Sequence, residues 1–192
     1  INDALRLSLN YDQPITFPIS PQLANLTESA SAQGFKVLLS GEGADELFFG
    51  YQRFIRAQLS HERSPDDEML CKRLLYFGGG WDKADRVPQL TGKSADNFKR
   101  FTPWAWLEKH YGTRSFAALQ MLFSQRFRLQ TLLQRQDRVG MLNGVEIRVP
   151  FLQPSFVHWI NSLPDQTRMP KPTEDKKILL RNLMKGKLAA RS

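Results

Sequence analysis

The stretch "SGEGADE" (40–46) carries residue types from which a nucleotide site can be built. Its two glycines let backbone amides approach a ligand, and the N-terminus of a following helix favours phosphate. Its acids, Glu42, Asp45 and Glu46, would repel phosphate unless a hard cation such as Mg²⁺ lay between them. The pattern therefore predicts a nucleotide and a metal bound together. The alternative is a structural turn followed by acids that favour a first helical turn.

A strand and a helix are expected on the two sides of this loop. The run "FKVLL" (35–39) is short, apolar and preceded by glycine, which predicts a buried parallel strand. After the loop, apolar residues recur at steps of three and four, which predicts one amphipathic helix over residues 44–59. The residues on that apolar face are Leu47, Phe48, Tyr51, Phe54 and Ile55.

The remaining elements are predicted to be mainly helical. A Ser-Pro pair predicts a helix capped by Ser20 and closed by Gly34, and an apolar stripe predicts one or two long helices between Ser115 and Met141. Residues 144–152, "GVEIRVPFL", are expected to form an extended connector. Shorter helices are expected within 64–80, 100–112, 153–164 and 173–186, and loops within 11–21 and 81–97. Since a lone strand cannot form a sheet, we expect the rest of a parallel sheet outside this sequence.

Composition limits the class of protein. The 192 residues suffice for one sizeable core, and the net charge of +8 divides into −4 over residues 1–50 and +12 over the rest. The basic residues are scattered rather than clustered, which argues against nucleic-acid binding. Cys71 is the only cysteine and is expected in the core, so an internal disulfide is excluded and a cytoplasmic location is expected. No apolar stretch or signal pattern indicates a membrane partner, and a homodimer stays open.

Three stretches together resemble one family. They are "LLSGEGADELFFGY", "DRVGMLNGVEIRVPFL" and "DKKILLR". Their order and spacing are similar to the C-terminal synthetase domain of the glutamine-dependent asparagine synthetases, over residues 12–186. The resemblance implies an α/β fold of the adenine nucleotide alpha hydrolase-like, PP-loop ATP pyrophosphatase type, of which this chain would be a mainly helical portion with few strands. It also implies an amidotransferase-type ligase of asparagine biosynthesis that uses ATP and Mg²⁺.

In that family a carboxylate is activated by ATP as an acyl-adenylate with release of pyrophosphate, and ammonia from glutamine then attacks it. By this resemblance Ser40, Gly41 and Gly43 occupy nucleotide-binding positions. Asp45 matches the acid that holds Mg²⁺ on the pyrophosphate. The implied partners are therefore small molecules, namely an aspartate-like carboxylate and ammonia or glutamine.

The resemblance also implies two catalytic residues. Glu42 matches a carboxylate near the incoming amine, where it orients the amine or takes its proton. Lys177 matches a lysine that stabilises charge on the transferred phosphates. We expect Lys177 and Arg181 to share one helix face, and we expect Glu42, Asp45 and Lys177 to converge.

Other charged residues receive structural interpretations. Glu146 and Arg148 alternate on an extended segment and are expected to form a buried ion pair. Asp137 and Arg138 are expected to fix a helix end. The histidines lie too far apart in sequence for a metal-ligand pattern and are expected to be structural or on the surface: His61, His110 and His158.

Several departures from the family pattern qualify the expected activity. Phe49 stands where the family usually has glycine, and Gln153 stands where it usually has aspartate. The N-terminal glutaminase domain and the "SGGxDS" pyrophosphate loop are not in this sequence, so residues 1–192 are expected to be part of a longer synthetase domain and inactive alone.

Three alternative functions stay open. Two are enzymes, a β-lactam synthetase-like protein and a peptide-cyclising homologue, and the third is a binding module without catalysis. Glu42 favours an ammonia-type acceptor, because the β-lactam-forming relatives carry tyrosine at that position.

Overall fold

The computed structural model describes residues 19–77, 102–169 and 176–187. The chain forms two compact units, Ile1–Gly43 with Leu129–Phe156, and Ala44–Arg128 with Val157–Ser192. The predicted loop at 81–97 lies outside the described residues, as does most of the predicted loop at 11–21.

In its described part, the first unit is a helix pair beside a small parallel sheet. Helix α1 (Ser20–Ala32) packs on a later helix of the unit, Leu129–Leu142, which is α7 in chain order. Strand β1 (Val37–Leu39) pairs in parallel with β2 (Glu146–Arg148). Helix α7 and β2 are joined by a tight turn. The turn brings Val145 so close to Gly140 of α7 that a Cβ on Gly140 would lie 2.5 Å from the Val145 carbonyl oxygen. The parallel pairing of the predicted strand is confirmed.

The structure corrects three predictions in this unit. The predicted connector contains β2, which sequence reasoning missed because a three-residue strand ending before Pro150 has no periodicity to detect. The predicted buried strand is exposed, with Leu39 at 75% and Val37 at 38%, because an apolar run is buried only where another layer covers it. Helix α1 is capped at Ile19 without a side-chain hydrogen bond, and Ser20 is its first helical residue.

The second unit is helical throughout its described part. Its elements in chain order are α2 (Ala44–Leu47), α3 (Gln52–Arg63), α4 (Glu68–Phe77), α5 (Thr102–His110), α6 (Phe116–Phe123), a π-helix (Ser124–Arg128), α9 (Asp165–Arg168) and α10 (Ile178–Met184). Helix α8 (Pro154–Ser162) begins in the first unit and ends in the second. The main core cluster is built from buried residues of α3, α4, α5 and α6, among them Trp104, Leu107 and Leu119. The short helices predicted within 100–112 and 153–164 are confirmed. The one or two long helices predicted between Ser115 and Met141 are two, α6 and α7, with the π-helix between them.

The predicted single helix over 44–59 is wrong, because the chain leaves the helix after Leu47. Phe49 has φ 54°, a left-handed conformation that costs a non-glycine residue roughly 1–2 kcal/mol. Its ring is nonetheless 2% exposed and packs 5.3 Å from the ring of Phe54. Removing a buried phenylalanine side chain costs about 3–5 kcal/mol, so packing outweighs the strain.

Among the described residues, none of the helices combines the length and the apolar character that crossing a bilayer requires.

Candidate functional site

The loop after β1 is fixed by hydrogen bonds of its own residues. The Ser40 amide donates to the Arg148 carbonyl at 2.8 Å, and the Ser40 hydroxyl accepts the Glu42 amide at 3.2 Å. Gly41 is exposed, and a Cβ there would meet nothing within 4 Å. A ligand can therefore approach the chain at Gly41, whereas the Ser40 amide already donates to the neighbouring strand.

Gly43 is required by the fold itself. Its φ is +89°, and an added Cβ would lie 2.7 Å from Leu152 Cγ. The positive φ and the close approach to Leu152 both require glycine whether or not a ligand binds. The assignment of Gly43 to ATP binding therefore stays a prediction.

Glu42 is held by two residues of α7. Gln136 Nε2 donates to Glu42 Oε2 at 2.7 Å, and Arg135 Nη2 donates to the same oxygen at 3.2 Å. The Glu42 side chain is 15% exposed and that of Arg135 is 10% exposed. Charge-assisted hydrogen bonds of this kind are roughly twice as strong as neutral ones, so they stabilise Glu42 as an oriented carboxylate.

Sequence reasoning missed Arg135 and Gln136. It considered their neighbours Asp137 and Arg138, of which Asp137 is exposed. A signal was present, because Arg135 and Gln136 lie four residues before the buried Val139 and Gly140 and so share their helix face. Polar residues on a buried helix face need partners, and the acidic loop could have supplied them.

Asp45 and Lys177 meet in the second unit. Lys177 Nζ lies 3.0 Å from Asp45 Oδ1, and each side chain is about one-third exposed. The predicted approach of these two residues is confirmed. Glu42 belongs to the first unit, and its convergence with this pair stays a prediction.

Lys177 reaches Asp45 from a position that the sequence did not predict. It is the N-cap of α10, with φ 57° and ψ 40°, and does not belong to the helix. The prediction that it shares a helix face with Arg181 is therefore wrong; Arg181 Nε instead donates to the Lys176 carbonyl at 2.9 Å. A left-handed residue before a helix places its side chain differently from a helical residue.

Gly50 closes the space beside this ion pair. A Cβ there would lie 2.5 Å from Lys177 Cε and would also overlap the Asp45 carboxylate. We expect Gly50→Ala to separate the pair and, under the activity that the resemblance implies, to lower ATP–pyrophosphate exchange by the full-length protein about 10²-fold, the effect of a roughly 1 Å misplacement. Gly112→Ala is the control for general damage, because a Cβ at Gly112 meets nothing within 4 Å, although its φ of +78° also carries strain. Exchange at the wild-type rate in Gly50→Ala would contradict a need for this contact.

The residues around Asp45 fit one Mg²⁺ ligand rather than a complete metal site. Within the described residues, no group of three or more His, Cys, Asp or Glu side chains could hold a metal ion. Magnesium at nucleotide sites is usually bound by one or two carboxylates and completed by phosphate oxygens and water. The Asp45 side chain is about one-third exposed, so its carboxylate can supply one oxygen ligand of such a site.

Glu46, the third acid of the stretch, has a structural contact. It is fully buried and accepts a hydrogen bond from the Tyr51 hydroxyl at 2.6 Å. Burial first, and then the hydrogen bond to Glu46, raise the pKa of Tyr51 far above its usual value. Tyr51 therefore stays a protonated donor at physiological pH.

The Glu146–Arg148 pair was predicted correctly as a contact and wrongly as a buried one. Arg148 Nε lies 2.9 Å from Glu146 Oε1, but the two side chains are 61% and 57% exposed. The hydrogen bond from Arg148 lowers the pKa of Glu146. Both residues lie on the exposed face of β2, so their ion pair is exposed to solvent together with that face.

Cys71 and His61 are structural, as predicted. Cys71 is fully buried, and His61 Nδ1 lies 3.1 Å from its sulfur. The His61 ring stacks on Phe116 with centroids 4.3 Å apart. Burial raises the pKa of the Cys71 thiol and lowers that of His61, so neither is charged at neutral pH.

Comparison with known proteins identifies the family. The asparagine synthase family model matches residues 2–191. Asparagine synthetase [glutamine-hydrolyzing] 3 of Bacillus subtilis (strain 168) is 27% identical over 79% of this chain and 24% of its own length. Asparagine synthetase [glutamine-hydrolyzing] 1 of the same organism is 27% identical over 97% of this chain and 33% of its own length.

A third relative carries a different name. Amidase chyE of Penicillium rubens is 28% identical over 83% of this chain and 31% of its own length. No solved structure matches the chain significantly. The chain spans about a quarter to a third of the length of these relatives. Because the family match extends over nearly every residue, the chain belongs to the asparagine synthase family.

Proposed function

We propose that this chain is part of an ATP-dependent ligase that forms an amide by activating a carboxylate, with aspartate as the substrate, as an acyl-adenylate. The observation that carries the proposal is the Asp45–Lys177 contact of 3.0 Å. These two residues come from separate motifs 132 positions apart (177 − 45), and each provides a charge that pyrophosphate release requires.

Each residue has a defined part in the activation step. The substrate carboxylate attacks the α-phosphorus of ATP, and pyrophosphate leaves as a multiply charged anion. The Lys177 ammonium stabilises that charge, and Asp45 would hold a Mg²⁺ ion, which would supply further positive charge to the phosphate oxygens. A ligand can approach the chain at Gly41, where a backbone amide can donate to phosphate.

The amide then forms beside Glu42, which acts as the base. Ammonia derived from glutamine attacks the acyl carbon, AMP leaves, and the Glu42 carboxylate accepts the proton that the nitrogen loses. We propose further that the complete polypeptide supplies the pyrophosphate loop and the glutaminase domain, and that the domain has the PP-loop ATP pyrophosphatase fold.

The test is ATP–pyrophosphate exchange by the full-length protein with a panel of carboxylic acids. We expect exchange that depends on Mg²⁺ and on aspartate, because the first half-reaction is reversible and needs no amine. The panel matters because the relatives include both asparagine synthetases and a protein named an amidase. Exchange supported only by an acid whose own amine can attack its activated carboxyl to close a ring would favour the β-lactam or peptide-cyclising alternative. A folded protein that exchanges with no acid would favour a binding module.

A further inference from the structure

Gln136 contacts the loop after β1 through the nitrogen of its side-chain amide. Its nitrogen donates to Glu42 Oε2 at 2.7 Å and to the Ser40 hydroxyl at 2.9 Å. A carboxylate can only accept hydrogen bonds, so the contact to Glu42 fixes which end of the amide is nitrogen. Both N–H groups of Gln136 are thereby used.

The oxygen of the same amide accepts no hydrogen bond from the part of the chain that the structure describes. Gln136 is 8% exposed, and within the described residues no group donates a hydrogen bond to its Oε1. Because oxygen and nitrogen of one amide share a carbon atom, Oε1 lies within about 5 Å of Glu42 Oε2. A buried acceptor beside a carboxylate is a position that a ligand with N–H or O–H donors would satisfy.

We propose that Gln136 belongs to the subsite for the attacking amine, where its nitrogen fixes Glu42 and its oxygen accepts an N–H of the amine. This inference rests on the proposed function. Ammonia has three N–H groups and one lone pair. With N–H groups directed to Glu42 and to Gln136 Oε1, the lone pair is free to point at the acyl carbon.

The reaction balances with these groups alone. The new C–N bond forms, the bond from the acyl carbon to the AMP oxygen breaks, and AMP leaves with the electron pair. The proton lost by nitrogen passes to Glu42. Gln136 keeps its protons and acts by orientation.

The experiment replaces Gln136 with methionine, which has similar size and neither amide group, in the full-length protein. Amide formation is measured against ammonium chloride concentration, and ATP–pyrophosphate exchange is measured without amine. We expect the KM for ammonia to rise about 10-fold, the effect of one lost hydrogen bond, and exchange to stay within about 2-fold. Gln130→Met is the matched control, because Gln130 is exposed on the same helix.

Each other outcome overturns the inference. An unchanged KM for ammonia with intact exchange removes Gln136 from the subsite and leaves the proposed function standing. Equal loss of exchange and amide formation shows that Gln136 acts on activation or on folding. If Gln136→Met does not fold, Gln136→Asn, whose shorter amide cannot span the same contacts, is judged by the same KM criterion. A wild-type protein without exchange for any acid defeats the proposed function, and this inference with it.

Discussion

Replacing Lys177 with alanine is expected to lower ATP–pyrophosphate exchange by about 10²–10³-fold, the usual effect of removing one group that stabilises transition-state charge. The reason is the position of the Lys177 ammonium, 3.0 Å from the acid that we assign to Mg²⁺. In the proposed reaction, an ammonium at this position faces the negative charge that builds up on pyrophosphate as it leaves. ATP in the ground state gains less from it, so we expect the apparent ATP affinity to change much less than the rate.

The stability of the protein separates this role from a structural one. Solvent-accessible ion pairs contribute about 0–1 kcal/mol, and both side chains of this pair are about one-third exposed, so Lys177→Ala is expected to leave the thermal unfolding midpoint nearly unchanged. Lys185→Ala is the control, because Lys185 is an exposed lysine at the other end of α10. Exchange near the wild-type rate in Lys177→Ala would assign the Asp45 contact to folding alone.

The sequence predicted the site where local chemistry determined it. Glycines, acids and an apolar run identified the loop after β1, and the resemblance of two motifs to the family assigned Asp45 and Lys177, 132 positions apart (177 − 45), to one site. These inferences depend on residue type and order, which the sequence states directly.

The contacts that orient Glu42 could not be predicted in the same way. Gln136 is separated from Glu42 by 94 positions, and its two hydrogen bonds exist only because α7 packs beside the loop. The exposure of β1 could not be predicted either, since β1 has the composition of a buried strand. The break at Phe49 depends on a left-handed residue whose ring is held by tertiary packing, and no local propensity indicates it.

Replacing Glu42 with glutamine tests the second half-reaction by itself. Both Arg135 and Gln136 donate to the same oxygen, Glu42 Oε2. A glutamine oxygen at that position can accept both hydrogen bonds, so the loop is expected to keep its geometry while the side chain loses its charge and its capacity to take a proton.

We therefore expect Glu42→Gln to keep ATP–pyrophosphate exchange within about 3-fold and to lower amide formation about 10²–10⁴-fold, the range for loss of a general base. Exchange serves as the internal control, because it measures activation in the same preparation. An accumulated acyl-adenylate, trapped after rapid acid quench, would show that the reaction stops between the two steps. If Glu42→Gln instead abolishes exchange as fully as Lys177→Ala does, Glu42 acts on activation, and its contacts to Arg135 and Gln136 serve the nucleotide rather than the amine.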